Sequence, residues 1–300
     1  MQTTMGFVTV ATGDEHYYRI ADNLRRSYRQ FSSVPLPFAI ICDRENRFTE
    51  GFDKVILLKS ASFSYLDKLC LYDCLPYDIS IFIDADCLAY GDLNQLFAYF
   101  ENADDFSCMG RVLPLDDKTG WFNYEDLDQL QQQVSYCVGL HGGIYYIRRS
   151  EKAKAVFDTA KEIARDYHRY HFKGNFSSPG DEPVLALSMA LNHCRPTQQD
   201  TGLICCYWEV ENAISLSPAK GKARLLQENK DIILVHWGTR FTRDLIYEKQ
   251  IAIFSCLETG SPSVVRLLTD LKFSRKLMTE KVIRLLNRVL RKGKRLLHLS

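Results

Sequence analysis

The segment Ile81-Phe82-Ile83-Asp84-Ala85-Asp86 holds the clearest chemistry in this 300-residue sequence. An apolar run reads as a buried strand, and two carboxylates one residue apart follow at its C-terminal end. Ligands of open α/β sheets bind beyond the carboxyl ends of strands. Alternation along an extended chain turns Asp84 and Asp86 to the same side, so both can approach one ligand. Two like charges held there repel unless a cation lies between them, and hard divalent cations favour carboxylate oxygens. A plainer explanation also exists, a strand that runs into a polar turn, and the same pattern occurs in phosphatases and unrelated α/β proteins.

The elements that position this pair are legible as strand–helix alternation. Short apolar runs at Phe7 to Ala11, Phe38 to Cys42, Val55 to Leu58 and Ile79 to Ile83 are rich in β-branched and aromatic residues. Turn formers bound them, as expected of strands buried on both faces. Helical segments are expected from His16 to Phe31, Leu66 to Cys74 and Leu93 to Phe100. Such alternation gives a parallel, doubly wound α/β sheet with right-handed crossovers. Residues 111–140 are polar and irregular and read as a flap or an excursion over the sheet edge. A strand from Gly143 to Ile147, a helix capped by Ser150, a helix after Asp181 and a late strand from Ile232 to His236 complete the pattern. One domain over 1–260 followed by a tail over 261–300 is the economical division.

Several blocks in this order resemble the family 8-type glycosyltransferases with the GT-A fold, the group of glycogenin and the bacterial lipooligosaccharide galactosyltransferases. They are Gly6 to Asp14 with Tyr17, Lys68 to Asp86, His141 to Ile147, Gly180 to Pro183 and His236-Trp237-Gly238. The resemblance implies a nucleotide-sugar transferase of the hexosyl type, with a UDP-sugar donor and retention of anomeric configuration. It also implies a place in cell-surface polysaccharide or lipopolysaccharide synthesis. Ala11, Thr12 and Asp14 would line the nucleotide pocket, with Tyr17 stacked on uracil; the alternative for Tyr17 is packing on the sheet. Asp84, Asp86 and His236 would hold Mn²⁺ or Mg²⁺, and an imidazole among carboxylates favours Mn²⁺.

The same resemblance assigns Ala85, Lys68, Gly238 and Arg240 to the donor, since glycine amides and basic side chains suit a diphosphate. Lys68 would point at the diphosphate or at Asp86, and otherwise is a solvated lysine. Gly142 and Gly143 would let the backbone approach the donor sugar, though a tight bend into a strand explains them equally. His141 stands where the family carries Asn or a similar residue. Asp181 and Glu182 match the family's acidic pair or Asp-Gln motif near the reacting carbon. As first-turn acids they would also complement a helix dipole. Glu182 replaces the glutamine of several relatives, and a glutamate there could instead serve as the base of an inverting displacement.

The net charge of +1 conceals a division. Residues 271–300 carry ten Lys/Arg and one acid, +9, whereas the other 270 residues carry 28 basic and 36 acidic side chains, −8. Apolar residues at 278, 282, 285, 286, 289 and 290 and basic residues at 281, 284, 288, 291 and 295 fall on opposite faces of one helix. Such a helix reads as an anchor on an anionic membrane surface, placing the protein on the cytoplasmic face of the membrane beside a lipid-linked acceptor. The alternative is a C-terminal helix packed on the body. An acidic body and a tail without interleaved aromatics argue against nucleic acid. No run is apolar enough to span a bilayer. The ten cysteines form no CxxC pair or zinc-ligand array and read as reduced. A haloacid-dehalogenase-type phosphohydrolase, or a non-catalytic nucleotide-sugar-binding protein at the membrane surface, is the competing reading. The former chemistry wants DxDxT early in the chain, whereas position 88 is Leu.

Overall fold

The β-branched and aromatic runs form the strands of a seven-stranded sheet in the computed structural model, which describes residues 3–117, 121, 133–172, 179–198, 203–217, 220 and 222–297. β1 (Met5–Ala11), β2 (Phe38–Cys42), β3 (Lys54–Leu57) and β4 (Ile79–Ile83) are parallel. After β5 (Cys87–Ala89) and α2 (Gln95–Tyr99), the chain returns through β6 (Phe106–Leu113) and β7 (Cys137–Arg148), and β7 lies antiparallel to both β4 and β6. With β8 (Thr197–Gln198) the order is β3-β2-β1-β4-β7-β6-β8, a mixed sheet.

Alternation divides the core between the two faces of this sheet. Phe7, Ile40 and Ile81 pack on one side with α1 (Glu15–Phe31), while Val8, Ile41 and Phe82 pack on the other with α3 (Glu151–Arg165) and α4 (Asp181–Leu191). Asp14 starts α1 by accepting the His16 amide, and Ser150 starts α3 by accepting that of Ala153. Helix α4 is apolar nearly all round and buried from Val184 to Ala190, so it is a core helix.

Four expected elements differ. The segment expected as a helix to Cys74 is a 3-10 helix over Tyr65–Cys70 followed by turns. The Asp67 carboxylate accepts the amides of Ser62 and Phe63 and the Thr12 hydroxyl, which ties its start to β1. Helix α2 covers only Gln95–Tyr99, because Asp92 first holds the Asn94 amide in a turn. The strand expected from Gly143 is the second half of the longer β7. The late strand divides: β12 (Lys230–Ile232) joins β10 (Ile214–Ser217) and β11 (Lys222–Leu225), while β13 (Leu234–His236) lies between β5 and β9 (Ile204–Cys206). Much of the polar excursion, 118–120 and 122–132, lies outside the described residues.

A short α5 (Tyr207–Val210) follows β9, and the chain ends in α6 (Leu245–Glu258) and the 35-residue α7 (Ser263–Leu297). The start of α7 packs on α6, where Lys249 bridges to Asp270 at 2.8 Å and Ser274 at 3.0 Å. The expected apolar positions from 285 to 290 and the basic side chains at 281, 284, 288, 291 and 295 lie outside the described side chains. No helix among the described residues is long and apolar enough to cross a membrane. All ten cysteines are free.

Candidate active site

The carboxyl end of β4 opens into a cleft of about 670 Å³. The Asp84 amide still donates to the Gly143 carbonyl of β7 at 3.0 Å, and then the chain turns, with the Cys87 amide closing on the Asp84 carbonyl. β4 ends at Ile83, so it is this turn, and not alternation along an extended strand, that delivers both Asp84 and Asp86 to the cleft wall. β13 brings His236 to the same place. Its Nε2 is 2.9 Å from Asp86 Oδ1 and 3.9 Å from Asp84 Oδ2. The Trp237 amide holds the Asp86 carbonyl, and the Thr239 hydroxyl donates to Asp86 Oδ2 at 3.2 Å.

Lys68 reaches the opposite side of the pair. Its ammonium is 2.8 Å from Asp84 and 3.1 Å from Asp181, not against Asp86. Its burial disfavours charge, but the carboxylates of Asp181 and Asp84 prevail and raise its pKa well above the ordinary value. The Tyr145 hydroxyl of β7 donates to Asp181 Oδ2 at 2.9 Å, so Asp181 is pinned from two sides. Glu182 differs. Its side chain's only hydrogen bond among the described residues is from the Gly142 amide at 3.0 Å, and burial, reinforced by the Asp181 charge, pushes its pKa up to about 7. A Cβ on Gly142 would stand 2.1 Å from Glu182 Oε1, so only glycine permits that approach.

The two ends of the Asp-x-Asp pair are unequal. Burial and the Asp86 charge raise the pKa of Asp84 against the pull of Lys68, whereas His236 overcomes burial at Asp86 and lowers it. Burial opposes charge on His236 too, yet Asp86 raises its pKa. His141 stays neutral, its pKa driven by burial and by His236 down to about 3. Asp86 Oδ1 and His236 Nε2 are close but out of line for hydrogen bonding, and the buried Oδ1 has no hydrogen-bond partner among the described residues. An unsatisfied carboxylate oxygen and an imidazole nitrogen on a wall shared with Asp84 form a donor set that fits a divalent cation.

Of the other expected residues, Ala11, Thr12, Tyr17, Ala85, Asp181, Glu182, Gly238 and Arg240 line the cleft. Tyr17 is 37% exposed beside the cleft. Asp14, Gly142 and Gly143 are not among the lining residues: Asp14 caps α1, and the glycines lie behind Glu182 and His236. Sequence reasoning missed Asp67, Thr239 and the aromatic side chains of Phe63, Tyr65 and Trp208, all of which line the cleft. Asp67 had a signal, an acid within an apolar helical segment; Trp208 had none. Gly238, at φ +70°, lets the chain turn beneath the Trp208 ring, which a Cβ would meet at 3.0 Å.

No family model matches the sequence, and no curated protein matches it. Solved structures do. The galactosyltransferase LgtC in complex with donor and acceptor sugar analogues superposes with a TM-score of 0.52 at 11% identity, covering 87% of this chain and 99% of that one. The fold is GT-A. An active-site glutamine-to-glutamate variant of LgtC gives a TM-score of 0.50 at 12% identity over the same shares, 87% and 99%. Mouse xyloside xylosyltransferase 1, apo form, gives 0.47 at 12% identity, covering 79% of this chain and 99% of that one. These neighbours are family 8-like glycosyltransferases. Within the GT-A fold of this chain, the cleft at the end of β4 is the candidate active site.

Proposed function

We propose that this chain is a metal-dependent glycosyltransferase that moves a hexose from a UDP-sugar to a saccharide or lipid-linked saccharide acceptor, with retention. The observation that carries this reading is the meeting of Asp84, Asp86 and His236 on one cleft wall of a GT-A fold, with the Asp86 oxygen left unsatisfied. These three side chains would hold Mn²⁺ or Mg²⁺, which offsets charge on the diphosphate as the sugar–phosphate bond breaks.

The chain's own groups supply the rest. Arg240 and the Gly238-Thr239 backbone line the cleft next to His236 and suit the diphosphate. Tyr17 offers a ring to the uracil. Lys68 fixes the spacing of Asp84 and Asp181, which keeps the carboxylate wall from repelling itself apart. Glu182, ionised, orients the acceptor hydroxyl or steadies positive charge at the anomeric carbon. By the family resemblance, Glu182 stands where several relatives carry glutamine.

The site of action we propose is the cytoplasmic face of a membrane, in cell-surface polysaccharide or lipopolysaccharide synthesis. The support is α7, which exposes Leu267, Leu268, Leu271 and Met278 as well as Lys272, Arg275 and Lys276. Turnover of UDP-sugars with Mn²⁺ tests the chemistry. Asp86→Ala is expected to lower turnover at least about 100-fold, the scale of losing one electrostatic stabiliser. Unchanged turnover in that variant removes the metal role, and UDP binding without turnover in the wild type points to a binding protein.

A further inference from the structure

His236 is a two-sided side chain. Nε2 faces the carboxylates, whereas Nδ1 is buried and has no hydrogen-bond partner among the described residues. Nδ1 lies 3.1 Å from the point a Cβ on Gly143 would occupy, and His141 Cε1 lies 2.9 Å from that same point, so His141 stands on the Nδ1 side. The Nε2 of His141 is 3.0 Å from the Cys206 sulfur. Sheet register explains the meeting: β13 pairs with β9 so that His236 is opposite Cys206, while β7 brings His141. One donor atom from each of His141, Cys206 and His236 lies within 4.8 Å of the others.

We propose that His141, Cys206 and His236 form a second metal site, selective for a thiophilic divalent cation such as Zn²⁺ and distinct from the carboxylate site. Two imidazoles and a thiolate suit zinc and cobalt, whereas manganese and magnesium prefer oxygen. Donors about 2.0–2.3 Å from a tetrahedral ion stand roughly 3.3–3.8 Å from one another, within reach of the present spread. The Asp86 carboxylate lies 2.9 Å from Nε2, on the side of the imidazole away from the proposed ion.

Ligation rearranges two protons. Cys206 releases its thiol proton to solvent. His141 moves its ring proton from Nε2 to Nδ1 and gives up the Gly143 amide it now accepts at 3.1 Å. His236 then carries its proton on Nε2, so it cannot offer that nitrogen to a cation between Asp84 and Asp86. The two sites share one imidazole and exclude each other, which makes the thiophilic ion an antagonist of the carboxylate-bound one.

Cobalt reads the site without donor sugar or turnover, so this result and the glycosyl-transfer result stand or fall separately. The full chain, stripped of metal and kept reduced with a phosphine, is titrated with Co²⁺. A thiolate-to-cobalt charge-transfer band that saturates at one equivalent and is displaced by Zn²⁺ is expected. Cys206→Ser and His141→Gln should each lose it, two variants that guard against one failing to fold, with circular dichroism as the control. Asp84→Asn should keep it. One equivalent of Zn²⁺ should raise the apparent Kd for Mn²⁺ at least about 10-fold. Absence of the band, its survival in folded Cys206→Ser, its loss in Cys87→Ser instead, or, once Mn²⁺ has been shown to bind the zinc-free protein, no competition with that Mn²⁺ overturns the proposal.

Discussion

Glu182 and Lys68 show how burial separates the roles of neighbouring charges. Glu182 is protonated in the fold at pH values where the unfolded chain is ionised, since its pKa rises from 4.5 to about 7. The folded state therefore binds more protons across that window, and stability falls as pH rises from about 4.5 through 7. In metal-free protein, Glu182→Gln should remove a loss on the order of 3 kcal/mol by pH 8, read by urea denaturation. If its carboxylate form works in transfer, turnover rises with pH through about 7 in the wild type and loses that limb in the variant. Gly142→Ala should displace Glu182 and lower kcat about 10- to 100-fold, while the donor KM stays near its original value. Lys68→Met strands Asp84 and Asp181 and should cost about 3–5 kcal/mol in a denaturant midpoint measurement. The Asp-x-Asp pair was legible because an apolar strand that ends in two acids is a local pattern, although a turn and not strand alternation sets the two side by side. Lys68 was legible as a cation but not as the bridge to Asp181, since that contact depends on how a 3-10 helix and α4 meet.

Strands and long helices could be read from the chain because their apolar periodicity needs no partner to be visible. Phe38–Cys42 and Ile79–Ile83 have the expected bounds. The division of 230–236 between two sheets could not be read, because β12 and β13 differ only in what lies beside them. Short elements failed for the opposite reason: Asp67 and Asp92 redirect local hydrogen bonds, which composition does not reveal. Where a cap is local, its effect is predictable: Asp14→Ala should destabilise the protein by about 1 kcal/mol in urea, through α1 alone. At α7 the exposed basic residues allow a separate test. Replacing Lys272, Arg275 and Lys276 by Gln should weaken flotation with anionic vesicles roughly 100-fold, at about 1 kcal/mol per charge, and leave the melting temperature unchanged. A variant that floats as before shows that these three charges do not hold the protein to lipid.

Across the whole molecule, the charge division and the sheet topology act together. The negative remainder repels an anionic surface that the +9 segment attracts, so binding to such vesicles should be steeply salt-sensitive, whereas folding stability should not be. The cleft itself is built from distant parts of the chain. β13 enters between β5 and β9, and β5 is separated from β13 by all of β6, β7, α3 and α4. Loop closure over such a distance comes late in folding. A growing polypeptide can therefore complete the parallel half of its sheet while Asp84 and Asp86 still face solvent without His236. The proposed cation site would be complete only once the last central strand slides into place, so on that proposal a partly synthesised chain is kept from sequestering metal or donor.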